Sequence, residues 1–341
     1  MHIDIPVSDP FSASKDPKMA FIALALNPYE VQARLKHCLF SFHDKQTEIS
    51  LNAIRVIRYK PGRRCLIEYD LLLEHSGLPL EAITLIGKVR SRGLDAATYR
   101  LQMSLWKNDF GPDSQDGISV PEPVGIIPEY CMWLQRKVPG VTSTRLLTEP
   151  CGILLAERIA MAAYKLQSSG ILPRRTHAIW DELRILRECL GFVGRKNLRW
   201  AERLARLLDA CWRLGATVPA PVARGIHRDF YPDQVIVDRE RLYIIDLDLY
   251  CDGDPGLDIG NFLAHLKEQG LRTMGDAEAM IEQEKAMEDR FLQLAGSWLR
   301  TNIQMYVTLT LARHIYLSTQ FPDRQSFTEP LLELCEQRLS A

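Results

Sequence analysis

The first 140 residues and the rest of the chain carry different periodicities. Between Ile49 and Arg90 three apolar runs, "AIRVIRYK", "CLIEYDLLLE" and "AITLIGKVR", follow one another closely. In the second, Ile67, Tyr69 and Leu71 alternate with Glu68 and Asp70, the period of two that turns one face of an antiparallel strand inward. Pro61-Gly62 supplies a turn between the first two runs, so the segment reads as a β-meander. A helical period follows, with Leu94, Ala97, Leu101 and Leu105 recurring between Gly93 and the polar loop "NDFGPDSQDG". "ISVPEPVGIIPEYCMWLQRKVPG" returns to strands broken by prolines and ends at Pro139-Gly140.

Past Gly140 the period is mostly helical. Leu154 to Gln167 is strongly apolar and stops at Gly170, His177 to Leu214 carries one or two long helices, and Glu284 to Ser318 carries another pair. Only "VIVD" and "LYIIDLD", around an Arg239-Glu240 turn, interrupt with short strand patterns. The pattern predicts an α+β chain: a small antiparallel β-rich N-terminal lobe with one helix over residues 20–138, and a larger, mostly helical C-terminal lobe over residues 139–341. Met1 to Met19, where Asp, Ser, Pro and Lys dominate, shows no apolar period and is expected to be a flexible N-terminus.

Composition narrows the partners. A chain of 341 residues, 46% hydrophobic and 25% charged, has the makings of a well-cored soluble protein. A formal net charge of −1 argues against a bulk binder of nucleic acid or anionic membrane. No apolar run reaches bilayer length and the N-terminus lacks the order of a signal peptide, so the cytoplasm is the expected location. Eight scattered cysteines, with no Cys-x-x-Cys pair and no histidine at zinc spacing, are expected to be reduced thiols, most of them in the core. Nothing in the sequence fixes the oligomeric state.

Chemistry concentrates in "GIHRDFYPDQVIVDRERLYIIDLDLY", Gly225 to Tyr250, which gathers His227, Asp229, Gln234 and Asp246. Phosphoryl transfer needs a lysine on the nucleotide phosphates, a loop over them, side-chain oxygens for Mg²⁺ and a carboxylate facing the nucleophile. Lys88 is a candidate for the first part, because a lysine in an otherwise apolar strand needs a partner or ligand to offset its desolvation.

On these residues the chain resembles the aminoglycoside phosphotransferase and choline kinase group, which shares the protein-kinase-like fold. The resemblance covers roughly Ile49 to Leu266, and the block from His227 to Asp258 is its most specific part. It implies a bilobal kinase-like fold and transfer of the γ-phosphate of ATP or GTP, with Mg²⁺, to a small-molecule acceptor. In that reading Asp229 orients the acceptor hydroxyl or amine and takes its proton. Asp246, in Asp-Leu-Asp where protein kinases carry Asp-Phe-Gly, binds the metal. Gln234 stands where the pattern carries Asn and offers the same amide oxygen on a stem one methylene longer, so the loop must adjust or a second ion be held through water.

The resemblance further places Lys88 on the α- and β-phosphates. It sets Gly62 and Arg63 of "RYKPGRRC" in the position of the glycine-rich loop, and the Arg136 carbonyl and Val138 amide at the adenine. His227 becomes a packing and hydrogen-bonding post. Asp258 is expected to cap the helix that follows it, and in the family also braces the catalytic loop. Tyr231, Asp248 and Asp254 are candidate acceptor contacts. The chain departs from the family where its helix should supply a glutamate to Lys88: Ser91 to Asp109 contains no Glu, and Asp95 is the nearest carboxylate. Asp246 to Asp258 leaves no room for the long substrate segment of protein kinases, which favours a small acceptor. A nucleotide-binding pseudokinase with a regulatory or scaffolding role is the alternative, and a metal-dependent hydrolase using His227, Asp229, Asp246 and Asp248 is a more distant one.

Overall fold

The computed structural model of the protein describes residues 5–39, 47–74 and 79–340. The chain divides into two compact units, Met1–Pro139 and Gly140–Ala341. In the first unit lie β1 (Val7–Ser8), α1 (Pro28–Leu39), β2 (Glu48–Lys60), β3 (Arg64–Glu74), β4 (Glu81–Arg90), α2 (Ala96–Lys107), β5 (Pro123–Ile127) and β6 (Met132–Arg136). The strands form one sheet in the order β1-β2-β3-β4-β6-β5, in which only the short β1–β2 pair is parallel.

One face of this sheet is apolar because alternate residues point the same way. Ile67, Tyr69 and Leu71 of β3 and Leu85 and Val89 of β4 are buried there, as the alternation predicts. Gly87, on the same face, leaves room for the Met132 sulfur, which would lie 2.5 Å from any Cβ placed there. Met19, Ile22, Val31 and Leu35 cover that face from the N-terminal side.

The expectation of a flexible N-terminus therefore needs correction. Met1–Asp4 lie outside the described residues, but Ala13 and Met19 are fully buried in this core. Asp16 ties the segment down further, accepting from the Tyr59 hydroxyl at 2.7 Å and from the Gly62 amide at 2.6 Å. A polar composition concealed the few apolar residues that anchor the segment.

The second unit contains β7 (Val141–Thr142), α3 (Gly152–Gln167), β8 (Thr176–His177), α4 (Ile179–Lys196), α5 (Leu198–Thr217), β9 (Arg224–Ile226), β10 (Val235–Asp238), β11 (Arg241–Ile244), β12 (Cys251–Gly253), α6 (Gly256–Met274), α7 (Ile281–Ala295), α8 (Arg300–Thr319) and α9 (Thr328–Ser340). The predicted stretch from His177 to Leu214 resolves into α4 and α5, and that from Glu284 to Ser318 into α7 and α8. Helix α6 packs on α8 through glycines: a Cβ on Gly260 would sit 2.5 Å from the Tyr306 Cβ and 2.7 Å from the Ile303 carbonyl. Two small β elements carry the polar loops of this unit. β9 pairs antiparallel with β12, and the β10–β11 hairpin pairs with β7. No helix among the described residues is long and apolar enough to cross a membrane.

Candidate active site

The loop between β9 and β10 is held in a shape that needs external support. Arg228 has a φ of 72° and Asp246, on the facing loop after β11, a φ of 61°, both in the left-handed region that costs a side-chain-bearing residue about 1–3 kcal/mol. The support comes from α6. Asp258, fully buried, accepts from the His227 amide at 3.0 Å, the Arg228 amide at 2.8 Å and the Gln167 side chain at 3.1 Å. Burial pushes the pKa of its carboxyl up, against the pull of His227 and the two loop amides.

This geometry changes two assignments. Asp258 lies inside the first turn of α6 and braces the loop, so it does not cap the helix. The N-cap position is Pro255, and the residue before it, Asp254, accepts from the Gly256 amide at 2.8 Å and from Asn302 at 2.8 Å. Burial raises the Asp254 pKa. Asp254 does not line the cavity beside Asp229, so the structure does not bring it to the other candidate acceptor contacts.

His227 is fully buried, and its Nε2 lies 2.8 Å from the Ile245 carbonyl. A carbonyl only accepts, so Nε2 carries the proton and the ring ties one loop to the other. Asp229 and Tyr231, two and four residues on, line a cavity of about 360 Å³. The Tyr231 ring stacks on His265 with centroids 4.6 Å apart. Asn261 steadies the loop between them by donating to the Phe230 carbonyl at 2.8 Å.

Gln234 and Asp246 meet by register. In the hairpin Val235 faces Ile244, and the Ile245 amide donates to the Gln234 carbonyl at 3.0 Å, so residues 234 and 246 share its open end. Among the described residues neither side chain makes a hydrogen bond. Asp248 sits half-buried in the single 3-10 turn that follows Asp246. No three His, Cys, Asp or Glu side chains converge as a metal centre among the described residues. His227, Asp229, Asp246 and Asp248, the hydrolase ligand set, form no such group among the described residues.

In the first unit, Lys88 faces Trp133 across the β4–β6 pair, its Nζ 4.8 Å from the indole centroid. It has no carboxylate within 4.0 Å among the described residues. Asp95, the expected substitute, is occupied: it caps α2 by accepting from the Thr98 amide at 3.1 Å and pairs with Arg90 at 3.1 Å. Gln102 is the buried polar residue that α2 turns to the sheet, donating to the Pro121 carbonyl at 2.7 Å and to Gln135 at 3.2 Å.

The β2–β3 turn closes with an Arg63 amide to Lys60 carbonyl bond at 3.0 Å, Pro61 leading and Gly62 at a φ of 60°. A cavity of about 410 Å³ beside it is lined by Lys60, Arg63, Arg64, Arg90 and Arg92 together with Gly62. The Gly62 amide is spent on Asp16, so Gly62 has no donor left for a phosphate. The Arg136 guanidinium pairs with Glu81 at 2.8 Å and Glu122 at 3.1 Å, while the Val138 amide has no hydrogen bond among the described residues.

Sequence reasoning missed Gln167, Asn261 and most of the cavity beside Asp229. His265, Glu268, Gln269 and Arg272 line that cavity and recur at three- and four-residue spacing on α6, a polar stripe on an otherwise buried helix. That stripe was legible. Arg313, His314 and Arg324, which complete the cavity, come from distant sequence with no local pattern to announce them.

Residues 114–289 match the phosphotransferase enzyme family APH. No curated protein matches the chain by sequence. Among solved structures the chain is similar to amicoumacin kinase hAmiN in complex with AMP-PNP, Ca²⁺ and Ami, at 16% identity over 93% of this chain and 96% of that one, with a TM-score of 0.57. It is similar to aminoglycoside phosphotransferase APH(4)-Ia at 16% identity, over 91% and 97%, with a TM-score of 0.55. Choline kinase LicA from Streptococcus pneumoniae follows at 14% identity, over 91% and 99%, with a TM-score of 0.53. At these identities the likeness is one of fold, the α+β protein-kinase-like fold.

Proposed function

The chain belongs to the phosphotransferase enzyme family, and from that premise we propose that it moves the γ-phosphate of ATP or GTP, with Mg²⁺, to a hydroxyl or amine of a small molecule. One observation carries the reading: Asp229 opens onto a cavity while, on the same braced loop system, Gln234 and Asp246 present side-chain oxygens with no protein partner among the described residues. An amide oxygen and a carboxylate are hard donors that suit Mg²⁺, so Gln234 and Asp246 would be the residues to hold it. When bound, the ion neutralises charge on the phosphates.

Asp229 holds the acceptor by its O–H or N–H, in line for attack. As the bond from the acceptor to the γ-phosphorus forms and the bond from phosphorus to the β-phosphate oxygen breaks, the proton passes to the Asp229 carboxylate and then to solvent. Lys88 pairs with the α- and β-phosphates, and the cationic wall around Arg63 supplies further charge for them. The Val138 amide and the Arg136 carbonyl read the base.

The test is phosphate transfer from labelled nucleotide over an acceptor panel. Asp229→Asn is expected to lower the rate at least about tenfold, roughly 1.4 kcal/mol of barrier, with nucleotide affinity kept. Transfer at an undiminished rate in that variant would end the assignment. A nucleotide-binding pseudokinase is the second reading, favoured by a Lys88 that has no carboxylate partner among the described residues. It predicts binding without transfer, and a nucleotide-binding defect in Lys88→Ala but none in Asp229→Asn.

A further inference from the structure

The cavity beside Asp229 has two chemically different sides. Its loop side contributes Asp229 and Asp233, and its helical side contributes Arg272, Arg313, Arg324 and Glu268. Those arginines are not equally occupied. Arg313 donates to Glu182 at 3.3 Å and to Asn261 at 2.8 Å, which uses it structurally. Arg272 and Arg324 have a single carboxylate to share: Glu268 accepts from Arg272 at 2.8 Å and lies 4.0 Å from Arg324. One positive charge on that wall is left without a counterpart. The Arg324 guanidinium lies over the Phe321 ring at 5.1 Å and makes no hydrogen bond among the described residues, although its side chain is only 34% exposed.

The histidines add polarity without charge. Burial and the neighbouring arginines push the pKa of His314 down to about 3 and that of His265 well below the usual range. His314 is 2% exposed and lines the cavity, yet its Nε2 has no partner among the described residues. A polycation would meet an uncompensated guanidinium on this wall, whereas an anion would receive charge-assisted bonds from planar donors suited to carboxylate and phosphate.

We propose that the acceptor is a small hydroxylated molecule carrying one anionic group, held by that group on Arg272 and Arg324 with its hydroxyls toward Asp229, and not a polyamine. This rests on the phosphotransferase reading for its purpose but not for its chemistry.

The test is titration calorimetry on the full-length protein with AMP-PNP and Mg²⁺ present. The probes are gluconate and glycerate for carboxylates, glycerol 3-phosphate for a phosphate monoester, sorbitol and glycerol as neutral counterparts, and kanamycin and choline as cations. At least one anionic probe is expected to saturate the protein, with affinity at least about tenfold weaker in Arg324→Ala and partly restored in Arg324→Lys, while the neutral and cationic probes do not saturate it. Which anionic probe binds separates a carboxylate from a phosphate acceptor. Unchanged melting of Arg324→Ala verifies its fold, and Arg272→Gln serves if it does not melt as wild type. Saturation by kanamycin or choline that ignores both arginines, or no arginine-dependent anion binding anywhere in the panel, overturns the proposal. Arginine-dependent binding without phosphorylation by MgATP would remove the phosphotransferase reading and keep the anion site, and phosphorylation of a cationic probe would do the reverse.

Discussion

Replacing Asp258 with asparagine is the sharpest probe of how the loop is held, and it needs no knowledge of substrate. The carboxylate is fully buried and receives three donors, the amides of His227 and Arg228 and the Gln167 side chain. Asparagine keeps the shape but turns one acceptor oxygen into an NH₂ group. Whichever way the amide is turned, at least one of the two backbone N–H groups then faces a donor, out of reach of water. An unsatisfied buried group of this kind costs about 1–3 kcal/mol. The same bonds hold Arg228 at a φ of 72°, and part of that strain, about 1–3 kcal/mol when fully released, offsets the loss if the loop relaxes. The net expectation for Asp258→Asn is about 1–2 kcal/mol of lost stability, read as a lower urea midpoint at unchanged slope. Asp258→Ala, which removes all three acceptor contacts, should lose more than Asp258→Asn. A loss below about 0.5 kcal/mol in both would mean that α6 does not brace the loop.

Gly260→Ala is expected to destabilise by about 1–3 kcal/mol in thermal melts, because its Cβ would strike the α8 backbone and outweigh the gain in helix propensity. Glu182 is pushed up by burial but held at about 2 by the His177 bond and the Arg313 charge. Its contribution, on the order of 3 kcal/mol, is therefore complete above the ordinary glutamate pKa and disappears as pH falls from about 4.5 through 2. Glu182→Gln should flatten that acid limb in pH-dependent urea unfolding. Tyr59 has its pKa raised to about 12, chiefly by its bond to Asp16. Asp16→Asn should bring the tyrosine titration followed by NMR back toward the ordinary value of about 10. Lys88→Ala should weaken nucleotide binding at least about tenfold by calorimetry while leaving the melting temperature nearly unchanged, since Lys88 has no ion-pair partner to lose among the described residues.

The sequence was most legible where one period rules an element. The alternation in β3 named the residues that the sheet buries, and the spacing of apolar positions located the helix pairs of the second unit. The hairpin was readable too, and its register is what puts Gln234 beside Asp246. Residues 5–19 were misread because two buried side chains and one bridging aspartate suffice to anchor a segment that composition marks as loose. The roles of Asp254 and Asp258 were interchanged in part, because an aspartate at the start of a helix looks the same whether it turns to its own amides or to another loop. The arginines beside Asp229 come from α6, α8 and the residues after α8, so only tertiary structure could bring them together.

Helix α6 is a single rod with two duties. Asp258 near its start fixes the strained loop, and Arg272, fourteen residues later and about 21 Å along the axis, lines the cavity beside Asp229. The far end can exchange side chains without loosening the near end, because the rod is seated by glycines in its first turns, where α8 comes closest. Under the function proposed above, choice of acceptor would be separable from catalytic posture: a lineage could retune residues 268 to 272 while the loop that carries Asp229 stays where it is.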